Sequence, residues 1–212
     1  MWSGVPAAWR EVPLVVTGLA AACMASLLTR WRWLVMLPLV GLGWVFYFFR
    51  DPQRTPATSS PDYVIAPADG RVTDIELVNE PLFFEGQARR VSVFMSVLDV
   101  HVQHSPYTGQ VALVHYQPGD FAPAYRQDTH SNESNLIGLT TSRGPLAIKQ
   151  IAGVLARRIV CRVAAGDKVV TGQRLGLIKF GSRVDLYLPP DVEVLVSLGQ
   201  QVYGGETIMA RW

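Results

Sequence analysis

Two uncharged apolar runs open the pattern. Pro13 to Thr29 and Trp33 to Phe49 each hold 17 residues without a charge, and Arg30-Trp31-Arg32 separates them. Apolar character of that length predicts two helices joined by a tight connection, a hairpin over residues 1–50. Each run lies at the lower limit for crossing a bilayer, so two full spans and a shallow or re-entrant hairpin both fit. Trp31, Trp33, Trp44 and Tyr47 fall near the run ends, where amphipathic rings favour the membrane interface. Two other readings fit part of the segment. A cleaved signal peptide leaves the second run unexplained, and a pair of buried core helices leaves the flanking arginines unexplained.

A polar, proline-rich linker follows over residues 51–62, with prolines at 52, 56 and 61 that a helix does not readily run through. Beyond it the period changes from helical to two. Arg90 to Val97, Gln110 to Tyr116, Arg157 to Val163 and Val184 to Leu188 read as strands, and Leu136 to Val163 is a nearly continuous β pattern broken at Arg143-Gly144-Pro145. The segment Val163 to Leu175 is echoed by Val196 to Ile208 at an offset of 33, with Gly166, Val169 and Gly172 matching Gly199, Val202 and Gly205. Each copy reads as strand, glycine turn, short strand, glycine turn, strand. The expected fold is therefore mainly β: a barrel-sandwich-like domain over residues 63–212, preceded by the helical hairpin.

Charge sharpens this division. Residues 1–54 carry five arginines and two acids, whereas the remainder carries 14 basic and 15 acidic residues. A domain with no basic excess does not suit nucleic acid. The arginines flank apolar runs instead, which points to anionic lipid headgroups. Arg10, Arg50 and Arg54 favour the cytoplasmic side of the cell (inner) membrane for the β domain. The only cysteines, Cys23 and Cys161, are read as buried reduced thiols, and their spacing suggests no zinc.

The candidate chemistry is sparse. Asp99-Val100-His101 would set a carboxylate and an imidazole on one face of a strand, where the carboxylate orients the ring for general-base work. His104, three residues on, is the candidate for a second histidine. His115 follows apolar residues and reads as structural; His130, in a polar loop, reads as solvated. Gly181-Ser182 lies in Lys179-Phe180-Gly181-Ser182-Arg183, which is not a nucleophile elbow because no glycine follows at the required place. On these residues alone three readings stay open: a self-processing enzyme, a serine hydrolase using Ser182, His101 and Asp99, and a membrane-tethered adaptor without catalysis.

In their order along the chain, Phe48-Phe49-Arg50-Asp51-Pro52, Ala66-Pro67-Ala68-Asp69-Gly70-Arg71-Val72, Asp99-Val100-His101-Val102, Pro118-Gly119-Asp120 and Phe180-Gly181-Ser182 resemble the phosphatidylserine decarboxylase family, in its short bacterial and archaeal form. The resemblance implies a precursor that cuts itself between Gly181 and Ser182 into a β chain (1–181) and an α chain (182–212). It also implies that Ser182 becomes a pyruvoyl cofactor, with no metal or nucleotide. In that family the ketone forms an imine with the amine of phosphatidylserine and takes up the electrons released with carbon dioxide, leaving phosphatidylethanolamine. His101, held by Asp99, would take the proton from Ser182. The implied partners are phosphatidylserine in the membrane and the chain's own second fragment, with a higher homo-oligomer left open. Two positions depart from the family's pattern. Arg183 stands where threonine is usual, and Arg143 stands at a turn where some relatives carry histidine.

Overall fold

The computed structural model describes residues 12–29, 32–84, 86–120, 131–153, 158–179 and 182–212. Arg10, Arg30, Trp31, His130, Arg157, Phe180 and Gly181 thus lie outside the described residues. Contacts divide the chain into two compact units, Met1–Pro52 and Gln53–Trp212.

The first unit is a helical hairpin. Helix α1 (Pro13–Leu27) has proline in its first turn, where a missing N–H costs nothing. A 3₁₀ turn (Arg32–Val35) leads into α2 (Met36–Phe48). The helices approach closely at Gly41, where a Cβ would stand 3.4 Å from the Leu19 side chain. Their lengths, 15 and 13 residues, give roughly 20 Å each at the usual rise. Among the described residues no helix is long and apolar enough to cross a membrane. Leu14, Met24, Leu28, Leu37 and Val40 are nonetheless more than half exposed, so apolar surface faces outward from both helices.

The second unit is β throughout its described part. Its strands are β1 (Tyr63–Ile65), β2 (Gly70–Glu80), β3 (Gly86–Met95), β4 (Val102–His104), β5 (Gly109–Gln117), β6 (Ser134–Thr141), β7 (Pro145–Ile151), β8 (Ile159–Cys161), β9 (Lys168–Val169), β10 (Arg174–Ile178), β11 (Ser182–Leu188), β12 (Glu193–Val194), β13 (Gln201–Val202) and β14 (Ile208–Arg211). An eight-stranded sheet runs in the order β13-β2-β3-β11-β7-β6-β5-β9, and two three-stranded sheets, β1-β14-β12 and β4-β10-β8, complete the unit. All the strand pairings are antiparallel.

The two copies of the 33-residue echo begin just after β8 and β12. The first, 163–175, runs through Gly166, β9 and Gly172 into β10; the second, 196–208, runs through Gly199, β13 and Gly205 to the first residue of β14. All four glycines have φ between 77° and 97°, a region that side chains with a Cβ disfavour. Each copy sends its two-residue strand to an edge of the large sheet, β9 to β5 and β13 to β2.

Period-two alternation builds the core. Val91, Val93 and Met95 of β3, Val184, Leu186 and Leu188 of β11, Leu146 and Ile148 of β7, and Ile137 and Leu139 of β6 meet in one buried cluster. At about 25 cal/mol per Å² of apolar area this burial is the main force closing the sheet. The proline-rich stretch does not hang free of it. Arg54 makes a bidentate ion pair with Asp69, and the Ala57 N–H donates to the Glu206 carbonyl at 3.1 Å. Arg54 is therefore not a free charge for lipid headgroups. Both cysteines are free and half-buried rather than buried. His115 is exposed on β5, contrary to the structural role expected, because a register shift between Val111 and Leu113 breaks the alternation before it.

Candidate functional site

Ser182 is the first residue of β11 and fully buried. It belongs to the core-facing series 182, 184, 186, 188, so its hydroxyl points toward the apolar interior. There it donates to the Met95 thioether at 3.6 Å, its cross-strand partner. A thioether is a weak acceptor, which leaves the hydroxyl free to turn toward a stronger one.

Three segments converge on this end of the sheet. Ser182 opens β11, Met95 closes β3 beside it, and Asp69-Gly70 opens β2 on the far side of β3, where Arg71 pairs with Phe94. Gly70 is required there: its φ is +144°, and a Cβ would stand 2.1 Å from the Phe94 carbonyl oxygen. After β3 the chain turns through residues 96–99 and delivers His101 and His104 at either end of β4. The His101 carbonyl accepts from the Ile178 N–H at 3.2 Å, which ties it to the strand leading into the Gly181-Ser182 pair.

The Asp99–His101 relation differs from the strand-face pairing expected. Asp99 lies in a turn, and its carboxylate accepts from the Ser96 N–H at 2.8 Å and from Gln201 Nε2 at 3.4 Å. His101, 2% exposed, instead places Nδ1 2.9 Å from the Asp99 backbone carbonyl. A carbonyl only accepts, so Nδ1 carries the hydrogen and Nε2 is the basic nitrogen. The ring is still oriented as a general base needs, but by backbone rather than by charge. A serine hydrolase triad in which the Asp99 carboxylate supports His101 does not form.

His104 is the second buried histidine, packed against Gly205. Burial, with Arg174 and Arg54 nearby, pushes it down from 6.5 to about 4, against the opposing pull of Asp69. It is therefore a neutral imidazole at neutral pH, and its Nδ1 is buried without a hydrogen-bond partner. Asp69 is the residue that reading the sequence for chemistry passed over. It is 3% exposed, paired with Arg54, and accepts the Gly204 N–H at 2.9 Å. The local signal for it was an acid at a Pro-Ala-Asp-Gly turn; its partner Arg54, 15 residues upstream, was read as a charge flanking the apolar runs.

Arg143 sits at the β6–β7 turn, paired with Asp62 at 2.6 Å. That turn lies by the Leu188 end of β11, roughly 20 Å from Ser182 at 3.3 Å per residue. Arg183, on the opposite face of β11 from Ser182, is fully buried against Asp185 and Ser92. Among the described residues no group of three His, Cys, Asp or Glu is placed to hold a metal ion.

The fold and this sheet end define a mainly β protein whose serine and two histidines are all withdrawn from solvent. The sequence comparisons specify it further. The phosphatidylserine decarboxylase profile matches residues 42–210. A phosphatidylserine decarboxylase proenzyme of Salinibacter ruber is 45% identical over 187 residues, 85% of this chain and 82% of the relative. Another from Desulfotalea psychrophila is 42% identical and covers 98% of this chain and 97% of its own length. A third, from Gluconobacter oxydans, is 44% identical over 91% of this chain and 90% of its own. The chain belongs to the phosphatidylserine decarboxylase family.

Proposed function

We propose that this chain decarboxylates phosphatidylserine to phosphatidylethanolamine and carbon dioxide, after cutting itself between Gly181 and Ser182 and converting Ser182 to a pyruvoyl group. The observation that carries this reading is the burial of Ser182 at a strand start, its hydroxyl on the weak Met95 acceptor that also lies against Gln103, the residue bonded to the His101 carbonyl. Solvent exclusion favours attack within the chain over attack by water.

The bonds balance as follows. His101 Nε2 accepts the Ser182 proton as Oγ bonds to the Gly181 carbonyl carbon. The peptide C–N bond breaks and the freed amine takes the proton. A base then removes the Cα proton of residue 182, and the Gly181 carboxylate leaves, ending the upstream fragment. Water replaces the nitrogen, which departs as ammonia, and a ketone remains. When present, that ketone supplies a binding point for the substrate amine and a sink for the electrons released with carbon dioxide. Among the described residues, the neutral His104 lies near the same sheet end, with Asp69 held by Arg54.

The hairpin is the proposed lipid contact. Its helices are too short to span about 30 Å of hydrocarbon, and their outward apolar side chains suit a shallow or re-entrant hairpin on the cytoplasmic face of the cell membrane. Arg50, two residues beyond α2, stacks 4.0 Å over the Tyr47 ring and would offer its charge to anionic headgroups.

Intact-mass measurement of the purified protein is the direct test. Two fragments of 181 and 31 residues are expected, the smaller one blocked to Edman sequencing. Ser182→Ala should abolish cleavage and activity together. A full-length active enzyme that resists hydroxylamine overturns the reading.

A further inference from the structure

The core-facing rows of β6 and β7 do not stay apolar to their ends. Asn135 precedes Ile137 and Leu139, and Gln150 follows Leu146 and Ile148. Both amides are buried, at 2% and 0% exposure, as is Gln103 of β4. Asn135 Nδ2 donates to Gln150 Oε1 at 2.9 Å, and Gln150 Nε2 donates to Gln103 Oε1 at 2.9 Å. Gln103 Nε2 then donates to the His101 carbonyl at 2.9 Å and lies 3.8 Å from the Met95 sulfur, the same sulfur that holds Ser182 Oγ.

Three amides thus run head to tail from β6 through β7 to β4. The direction is not reversible one residue at a time. Turning the Gln103 amide round would set oxygen against the His101 carbonyl and N–H against N–H at Gln150. Aligned amide dipoles in a dry interior strengthen one another, and a broken link leaves a buried polar atom unpaired. An apolar residue at 103, 135 or 150 would have extended the core without these demands.

We infer that Gln103, Gln150 and Asn135 are positioning residues for the self-cleavage, holding the His101 backbone and the Met95 sulfur in register with Ser182. The inference rests on Ser182 being the cleaved residue, as proposed above. Gln103 is the contact residue, Gln150 fixes its orientation, and Asn135 fixes that of Gln150.

The test follows maturation of the full-length chain in cell-free synthesis, by gel and intact mass over time. Gln150→Leu should slow cleavage by about tenfold or more, because Gln103 loses the donor that orients it. Gln150→Glu supplies a reading that packing alone would not move. Protonated, the new carboxyl can donate to Gln103 and accept from Asn135 as glutamine does. Ionised, it offers no donor and turns the Gln103 amide round. Burial raises a carboxyl's pKa, so the ratio of the variant's rate to the unsubstituted chain's should fall by about tenfold or more between pH 5.5 and pH 9. A ratio flat across that range overturns the inference, even where Gln150→Leu is slow or fails to fold. Rates of both variants within about twofold of the unsubstituted chain at both pH values overturn it as well. Ser182→Ala, run in parallel, tests the underlying reading separately: continued cleavage there would refute the cut site rather than the amide chain.

Discussion

At His104 a single side chain couples the site to pH. Its folded value of about 4 lies below the ordinary 6.5 because burial disfavours the charged ring. Between those values the unfolded chain binds a proton that the folded chain refuses. Stability is therefore present in full above pH 6.5 and is lost as pH falls toward 4, by about 3 kcal/mol in all. In an uncut Ser182→Ala background, urea midpoints at pH 7.5 and 4.5 should show this loss, and adding His104→Gln should shrink it. An equal loss in both chains would assign the acid sensitivity to other groups. Asp99 gives the complementary residue-scale prediction. Its carboxylate serves the Ser96 N–H, an acceptor role that the Asn carbonyl can fill. Asp99→Asn should thus cleave within about tenfold of the unsubstituted chain, whereas His101→Ala, which removes the base, should not cleave on the same timescale. Cleavage of both at an equal rate would remove His101 from the mechanism.

The elements were legible to different depths. Alternation exposed β3 and β11, because each sets apolar residues against one buried cluster at every second position, whereas β6 and β7 showed as a nearly continuous β pattern and β5 loses its alternation at the register shift after Val111. The echo exposed the paired glycine turns, since a positive φ demands glycine wherever it occurs. Residues 53–62 were legible only as punctuation. Nothing in their composition tells that Arg54 reaches a buried carboxylate across 15 residues of chain, because ion pairing depends on where two segments meet. Breaking a buried pair strands the surviving charge, so Arg54→Met should destabilise the Ser182→Ala chain by about 3–5 kcal/mol. A change below about 1 kcal/mol in urea unfolding would mean that Asp69 is solvated rather than paired.

On the scale of the whole molecule, cleavage before Ser182 leaves the sheet intact. The fragment 182–212 contains β11 to β14. β11 is hydrogen-bonded on both edges, to β3 and β7, while β13 pairs with β2 and β14 with β1, all in the larger fragment. The fragments should co-elute in native size exclusion without a disulfide and separate only in denaturant. Deleting residues 1–50 should leave a β unit that still cuts itself, since Ser182, His101, His104 and the amide chain all lie in the second unit. That truncated protein should lose sedimentation with anionic lipid vesicles. Loss of self-cleavage on truncation would make the hairpin part of the fold instead.

The sequence by itself determined what depends on neighbours along the chain: the apolar hairpin, the strand alternation, the repeated glycine turns and the Gly181-Ser182 pair. It also marked His101, because acid and imidazole two residues apart are visible in one dimension. Only the tertiary structure decided how those groups are used. Asp99 presents its carbonyl rather than its carboxylate to His101 because a turn, not a strand, carries it. Asp69, Arg54 and His104 become neighbours only when β2 and β4 reach the same end of the fold. The amide chain exists because strands far apart in sequence end their core-facing rows with polar residues at one level of a single interior. A hydrogen bond needs two groups within about 3 Å, and for residues as distant in sequence as 103 and 150 that distance is set by packing alone.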